Sequence, residues 1–279
     1  MRKVWVAGAK GRVGDALHAI LDPDMYQLLL TDREEVDVTD LQQVHSYMNL
    51  TWPDVVINCA SLSDMQLCES DPDMAYRVNT IGPRNLAIAA HETESKLISF
   101  SGAEVFDGSA VAPLNEFDTV NPVTVYGKSK AAGEQMIFRH CRRFVILRSC
   151  WVYGTGYDFV EEVMQAADNK QALQVPTNQY GAPTSARELA KIFEHFIQDD
   201  AQGIYHATCS GSCSRYEFAR EILRISGKEA ELIPAAEAEG SRREYLVLDN
   251  MMLRLEGIQE PADWKDALRD YMKRRYSIG

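Results

Sequence analysis

The chain has 279 residues, of which 46% are hydrophobic and 25% are charged, and its net charge is −12. This length and composition suit one large soluble α/β domain or a domain with a smaller appendage. The negative charge argues against a general binder of nucleic acid or anionic membranes. The sequence contains no apolar run of about 18 residues, so no transmembrane helix is expected.

The cysteines and the start of the chain indicate the compartment. The six cysteines, at positions 59, 68, 141, 150, 209 and 213, form no Cys-x-x-Cys pair, and Cys209 and Cys213 lack nearby His pairs at ligand spacing. A strand pattern begins at residue 4, so a secretory signal is not expected. We therefore expect a cytoplasmic protein with buried free thiols and no metal site.

A glycine-rich turn joins the first predicted strand, residues 4–7, to the first predicted helix. Gly8 permits a tight turn, Gly11 allows a backbone to approach a pyrophosphate, and Gly14 allows the helix to pack on the strand. The helix N-terminus then offers N–H groups and a positive dipole end to phosphates. The turn therefore predicts dinucleotide binding. Its predicted cofactor contacts are Gly8, Lys10, Gly11, Arg12, Val13 and Gly14.

The second predicted strand, residues 26–31, ends at an acid followed by a base. Asp32 could bond the ribose hydroxyls of NAD, whereas Arg33 could accept the 2′-phosphate of NADP, so the cofactor preference stays open. Asp37 and Val38 could flank the adenine, although a solvated loop explains them equally well.

Further apolar runs at residues 54–60, 96–101 and 144–149 predict strands, with helices between them, one of which is predicted to run from about Pro72 to His91. Strands that alternate with helices predict a parallel, doubly wound sheet of the Rossmann type. The carboxyl ends of such strands face the ligand crevice, so Cys59 and Ala60 are predicted to contact the cofactor.

The chain divides, on these patterns, into two parts. Residues 1–150 are predicted to form the NAD(P)-binding domain, and residues 181–207 to return to its sheet. Residues 151–180 and 208–279 are predicted to form a smaller substrate-binding lobe. Within the chain, residues 178–185 are interpreted as a turn-rich loop.

Tyr126 and Lys130 are four residues apart on a predicted helix and therefore share one face. A phenol has a pKa of about 10, too high for efficient proton donation near neutrality. An ammonium about 4 Å away would interact with the phenolate by about 4 kcal/mol at an effective dielectric of about 20, which lowers the phenol pKa by up to about three units. The same spacing also arises by chance on many helices.

Taken together, these motifs resemble the extended short-chain dehydrogenase/reductase superfamily and, more closely, the dTDP-4-dehydrorhamnose reductase family. The resemblance spans nearly the whole chain, and the run Gln-Tyr-Gly-Ala-Pro-Thr at 179–184 is its most specific part. The stretches that carry the closer resemblance are 53–60, 105–108, 126–130, 148–154 and 178–184.

The resemblance implies a reductase that uses reduced NADP or NAD. Lys130 would bond the nicotinamide ribose and keep Tyr126 acidic, hydride would pass to a sugar C4 carbonyl, and Tyr126 would protonate the oxygen. The predicted substrate-binding residues are Trp151, Gln179, Arg242 and Glu104. Trp151 is equally well explained as a core aromatic between lobes. Pairing of the helices that carry Tyr-x-x-x-Lys would give a homodimer.

The sequence departs from the family on the substrate side. Where the family has Ser-Thr-Asp-Tyr, residues 101–104 read Ser-Gly-Ala-Glu, so the hydroxyl that assists Tyr126 falls at Gly102 and is missing. Loss of one such donor typically costs about 10²–10³ in rate. Ser101 is a candidate substitute only if the strand end turns, because neighbouring residues of a strand face opposite sides. Residues 65–69 also lack the family's charged pair.

Two classes of function follow. The first is NAD(P)H-dependent reduction of the 4-keto group of a nucleotide-activated deoxysugar. The alternative, motivated by Gly102, is a cofactor-binding regulatory or scaffold subunit with little or no turnover, similar to the regulatory subunit of methionine adenosyltransferase. An epimerase or dehydratase of the superfamily is a third reading.

Overall fold

The computed structural model describes residues 1–235 and 244–277. The strands are β1 (Arg2–Ala7), β2 (Tyr26–Thr31), β3 (Val55–Asn58), β4 (Lys96–Gly102), β5 (Phe144–Ser149), β6 (Val152–Tyr153), β7 (Leu173–Pro176), β8 (Gln179–Gly181), β9 (Thr184–Ser185), β10 (Gly203–His206), β11 (Cys213–Ser214), β12 (Leu232–Ala235) and β13 (Glu244–Tyr245). The helices are α1 (Arg12–Ile20), α2 (Leu41–Thr51), α3 (Met65–Ser70), α4 (Pro72–Tyr76), α5 (Gly82–Glu92), α6 (Val125–His140), α7 (Phe159–Asp168), α8 (Ala186–Gln198), α9 (Arg215–Ser226), α10 (Met251–Leu255) and α11 (Trp264–Tyr276).

Six strands form a parallel central sheet in the order β10-β5-β4-β3-β1-β2. Both faces of this sheet are covered, which is why its strands are continuous apolar runs such as Val4, Trp5 and Val6. From β1 the chain passes to β2 on one side and later to β3 on the other, so a crevice opens at the carboxyl ends of β1 and β3. The predicted Rossmann-type sheet is confirmed.

Helices pack on both faces of the sheet. On one face, Leu17 of α1 and Phe193 of α8 lie in a core with the strands. On the other face, Met48 of α2, Leu86 of α5 and Ile137 of α6 form a second core. The strand at one edge of the sheet, β10, pairs in parallel with β5.

A third core holds the C-terminal lobe together. It contains apolar side chains from α7, α9 and α11, including Val160, Phe218 and Trp264. The lobe is attached beyond the carboxyl edge of the sheet, since its segments follow the ends of β5 and β10 and since β6 pairs with β9. Leu253 of α10 nevertheless packs in the core of the main sheet. The described residues contain no helix long and apolar enough to span a membrane.

Two local predictions were wrong. A single helix over residues 72–91 is interrupted by a π-helical turn, Arg77–Ile81, in which the N–H of Gly82 donates to the carbonyl of Arg77. Pro83 follows directly and has no N–H to continue the regular ladder. Residues 178–185, interpreted as a loop, contain β8 and β9, because β8 pairs with β11 and β13 from distant parts of the chain.

Candidate active site

A groove opens where the loops after β1 and β3 meet. Gly8 has a φ of +82°, in the left-handed region, and a Cβ at this position would lie 2.6 Å from the backbone N of Ala60. The two loops therefore touch in a way that only glycine permits at residue 8. This close packing forms the floor of the groove at the switch point of the sheet.

The N-terminus of α1 points its backbone groups toward this groove. Gly11 is the N-cap, and no described side chain caps it. A Cβ on Gly14 would lie 2.5 Å from the carbonyl oxygen of Ala9, so this glycine lets the helix approach the turn. Val13 is buried in the core beneath α1. The uncapped N–H groups and the dipole of α1 suit a phosphate group.

The groove has a volume of about 490 Å³, which is in the range of a cofactor site. The predicted cofactor residues that line it are Gly8, Gly11, Asp32, Arg33, Asp37, Val38, Cys59 and Ala60. Residues that the sequence reasoning missed also line it: Val36, Thr39, Ser61, Leu62, Asp71, Asp73, Met74, Arg77 and Val78. Those at 71–78 escaped notice because the segment was read as one uniform helix.

Charges of both signs surround the end of the groove that follows β2. The Asp32 carboxylate accepts from the backbone N–H of Lys10 at 3.0 Å, and the Lys10 ammonium lies 3.4 Å from Glu34. The Nε of Arg33 lies 3.4 Å from the Asp37 carboxylate. Asp32, Lys10 and Arg33 thus all lie at this end of the groove. Their positions favour neither NAD nor NADP.

The side chain of Arg12 points away from the groove, toward the C-terminal lobe. It donates a hydrogen bond to the backbone carbonyl of Tyr157 and lies 3.9 Å from the Asp158 carboxylate. Both partners precede α7, so Arg12 connects α1 to the C-terminal lobe. Its predicted contact with a cofactor remains a prediction.

Tyr126 and Lys130 lie together at the start of α6, and both are buried. The helix begins where Thr124 Oγ1 accepts from Gly127 N at 3.0 Å. Glu69 fixes the same end, since its carboxylate accepts from Val125 N at 2.8 Å. The Lys130 ammonium donates to the carbonyl of Phe100 at 2.7 Å, which holds it at the carboxyl end of β4.

Burial dominates the acid–base properties of this pair. It lowers the pKa of Lys130 to about 8, although Glu134 and Glu104 oppose the shift. Burial also raises the pKa of Tyr126 above its usual value, the charge of Glu104 adds to that rise, and a hydrogen bond with Ser61 opposes it. The expected lowering of the Tyr126 pKa by Lys130 was therefore wrong for the free protein, because desolvation of the phenolate dominates the shift and the Lys130 charge is not among its causes.

Asn79, in the π-helical turn, organises the loop beside Tyr126. Its amide donates to the carbonyl of Leu62 at 2.9 Å and to Ser129 Oγ at 3.0 Å. Its amide oxygen accepts from Leu62 N at 2.9 Å and from Ser61 Oγ at 3.0 Å. Asn79 thus places Ser61 next to Tyr126 and ties the loop after β3 to α6. The irregular turn that presents it has no obvious sequence signal besides Pro83.

Ser101 does not take the place of the missing hydroxyl. The strand stays extended through Gly102, with φ −132° and ψ 164°, so it does not turn before that residue. Ser101 shares a face with Leu97, which packs in the α2/α5/α6 core. Its hydroxyl is buried and has no hydrogen-bond partner among the described residues. The condition for Ser101 to assist Tyr126, a turn at the strand end, is therefore not met.

The tryptophan that follows β5, Trp151, has a strained backbone. Trp151 has a φ of +46°, which is uncommon outside glycine and costs of the order of 1–3 kcal/mol. A Cβ on Gly181 would lie 2.7 Å from Trp151 Cε2, and the guanidinium of Arg215 lies 3.8 Å above the ring. These contacts with Gly181 and Arg215 hold Trp151 in place.

The other predicted substrate-binding residues do not all lie in the described structure. Gln179 lies on β8, paired with Glu244 of β13. Glu104 is half-buried beside Gly102. Arg242 lies outside the described residues. Within the described parts of the chain, no cluster of His, Cys, Asp and Glu could hold a metal ion.

Comparison with known proteins gives consistent matches over the whole chain. The family model described as RmlD substrate binding domain matches residues 1–277. The spore coat polysaccharide biosynthesis protein SpsK of Bacillus subtilis is 35% identical, over 99% of each chain. A solved dTDP-4-dehydrorhamnose reductase of Clostridium acetobutylicum is 36% identical with a TM-score of 0.94, covering 98% of this chain and 99% of the other. The Bacillus anthracis dTDP-4-dehydrorhamnose reductase, solved in complex with NADP, is 30% identical with a TM-score of 0.95, covering 99% and 100%.

Proposed function

The chain belongs to the family of the RmlD substrate binding domain, and we propose that it reduces the 4-keto group of a nucleotide-activated deoxysugar, as a dTDP-4-dehydrorhamnose reductase does. The enzyme is an NAD(P)H-dependent oxidoreductase. The observation that carries the proposal is the buried pair Tyr126 and Lys130, of which Tyr126 is hydrogen-bonded to Ser61 in the lining of the groove.

The groove fits a nicotinamide dinucleotide. Gly8 and Ala60 touch at the floor of the groove, where any Cβ on residue 8 would collide with the Ala60 backbone. The uncapped N-terminus of α1 faces this floor. Gly11 and the loop of Cys59 and Ala60 would flank the pyrophosphate, while Asp32 and Arg33 would meet the adenosine ribose. The cofactor is NADP or NAD, since the Bacillus anthracis relative holds NADP.

Tyr126 and Lys130 have separate roles in the proposed reduction. When bound, the reduced nicotinamide supplies a hydride to C4 of the sugar. Tyr126 donates its phenolic proton to the carbonyl oxygen, so that the carbonyl becomes a hydroxyl. Burial keeps Tyr126 protonated until charge develops on that oxygen. Lys130, fixed by Phe100, stabilises the phenolate that remains, provided that its ammonium is charged.

The regulatory-subunit alternative is not favoured. It was motivated by the missing hydroxyl at Gly102, yet Tyr126 and Lys130 are both in place and the two solved structures described above are of reductases. A non-catalytic binder does not require a buried phenol and ammonium next to the groove residue Ser61.

We further propose a cytoplasmic location and a homodimer. The location is supported by the six free thiols, which are typical of a reducing compartment. We propose that the dimer forms through α6, where the Phe138 side chain is 73% exposed. Sedimentation of wild type and Phe138→Lys tests the dimer, which the variant should dissociate.

A panel of 4-keto-sugar nucleotides, followed at the NAD(P)H absorbance with both cofactors, tests the activity. Tyr126→Phe should lower the rate by about 10²–10⁴, the usual contribution of a general acid. Tyr153→Phe is the matched control, because Tyr153 is buried in the lobe core and its hydroxyl has no partner among the described residues. Turnover that survives in Tyr126→Phe would refute the assigned chemistry.

A further inference from the structure

The space beside the Tyr126 hydroxyl, left by the missing side chain of Gly102, is filled by another residue. A Cβ on Gly102 would lie 3.6 Å from the Tyr126 hydroxyl and would meet Oε2 of Glu104 directly. The Glu104 carboxyl group therefore lies where a side chain of residue 102 would begin. It is next to the phenol that protonates the substrate.

The backbone holds Glu104 at this position. Glu104 is the middle residue of a 3₁₀ turn, Ala103–Val105, whose two other side chains are fully buried. Its carbonyl oxygen packs so closely on Gly127 of α6 that a Cβ at Gly127 would overlap it. The turn is thus seated on the same helix that carries Tyr126, and the carboxyl group is positioned relative to the phenol.

The surroundings favour the neutral acid. Burial raises the pKa of Glu104, its own backbone N–H opposes this, Glu244 adds to the rise, and Arg215 and Lys130 oppose it. Tyr126 and Cys150 also face this group, because the Glu104 charge raises the pKa of each. The charged groups around Glu104 are thus one acid, Glu244, and two cations, Arg215 and Lys130, and the net effect is a raised pKa of Glu104. A protonated carboxyl group has an O–H to donate, whereas a carboxylate only accepts.

We propose that Glu104, in its protonated form, donates the second hydrogen bond to the carbonyl oxygen of the substrate, beside the one from Tyr126. The proposal rests on the proposed reductase function. Glu104 keeps its proton through the reaction, and the proton gained by the oxygen comes from Tyr126. Two donors aimed at one oxygen stabilise the charge that develops there as hydride arrives at C4.

Three variants test the donor role. Glu104→Ala should lower kcat by about 10²–10³, the cost of losing one such donor, and leave the Kd for NADPH unchanged. Glu104→Gln should keep most of the rate, because its amide N–H can donate. Gly102→Ser combined with Glu104→Ala should recover rate, since a hydroxyl then enters the vacated space, whereas Gly102→Ala with Glu104→Ala is the matched control and should not.

Infrared spectroscopy tests the protonation of Glu104 without requiring turnover. The infrared spectrum of the NADP⁺-bound wild type at neutral pH should contain a carbonyl band of a protonated carboxylic acid that is missing in Glu104→Gln. A wild type without that band, a fully active Glu104→Ala, or a Glu104→Gln as slow as Glu104→Ala would each overturn the proposal. If wild type reduces no keto sugar, the proposed function fails and this inference with it; if wild type is active, these outcomes overturn the inference alone.

Discussion

Replacing Glu134 by glutamine would leave a guanidinium buried without its charged partner. Glu134, on α6, accepts from Arg148 of β5 at 2.6 Å and 2.9 Å, and the two side chains are 8% and 3% exposed. Arg148 Nη1 already has no hydrogen-bond partner among the described residues. Removal of one partner of a buried pair typically costs about 3–5 kcal/mol. A domain of ordinary stability has only about 5–15 kcal/mol in total.

Urea unfolding, followed by circular dichroism, measures this loss for Glu134→Gln. The matched control is Glu221→Gln, because Glu221 makes the same two-pronged contact, at 2.7 Å and 2.8 Å, with the exposed Arg224. We expect a much smaller change there. The double variant Glu134→Leu with Arg148→Met should recover most of the loss, since no charge remains buried. If it is as unstable as Glu134→Gln, or if the control loses as much, the reasoning from an unpaired buried charge is refuted.

Three more predictions concern the cofactor and the acid. Gly8→Ala should abolish NADPH binding in a fluorescence titration, because its left-handed backbone and the 2.6 Å approach to the Ala60 backbone exclude a methyl group; near-wild-type affinity would contradict the groove assignment. Arg33→Ala should weaken NADPH about tenfold to a hundredfold and NADH much less, which paired Kd measurements check; equal losses would show that Arg33 does not meet the 2′-phosphate. Burial lowers the pKa of Lys130 to about 8, so the charged fraction falls as pH rises through that value, and kcat/KM should decline above about pH 8. In Lys130→Arg any remaining activity should show this decline only at higher pH, and an unmoved decline would assign it to another group.

The features that could be predicted from sequence are those written in consecutive residues. The strands at residues 26–31 and 144–149 match the structure at both ends, because buried parallel strands are uninterrupted apolar runs. The turn at Gly8 could be identified because the conformation itself requires glycine.

What could not be predicted depends on contacts between distant residues. The pairing of β8 with β11 and β13 joins residues 179–181 to 213–214 and 244–245, and no local pattern contains it. The pKa of Tyr126 was placed on the wrong side of its usual value, because spacing reveals a neighbouring charge but not the depth of burial. Glu104 was identified as a departure, yet its position in the space left by Gly102 depends on a turn whose geometry spacing does not give.

The π-helical turn makes the site depend on the number of residues in a helix. An i→i+5 turn contains one residue more than a regular turn, and one residue rotates everything beyond it by about 100°. Here that rotation lets Asn79 face Leu62 and Ser129 while Leu86, further along, still faces the sheet. Deletion of a single residue between 77 and 81 would restore a regular helix, and the rotational phase of one half would then be lost. The position of Ser61 next to Tyr126 therefore depends on the number of residues in this turn as well as on the Asn79 side chain.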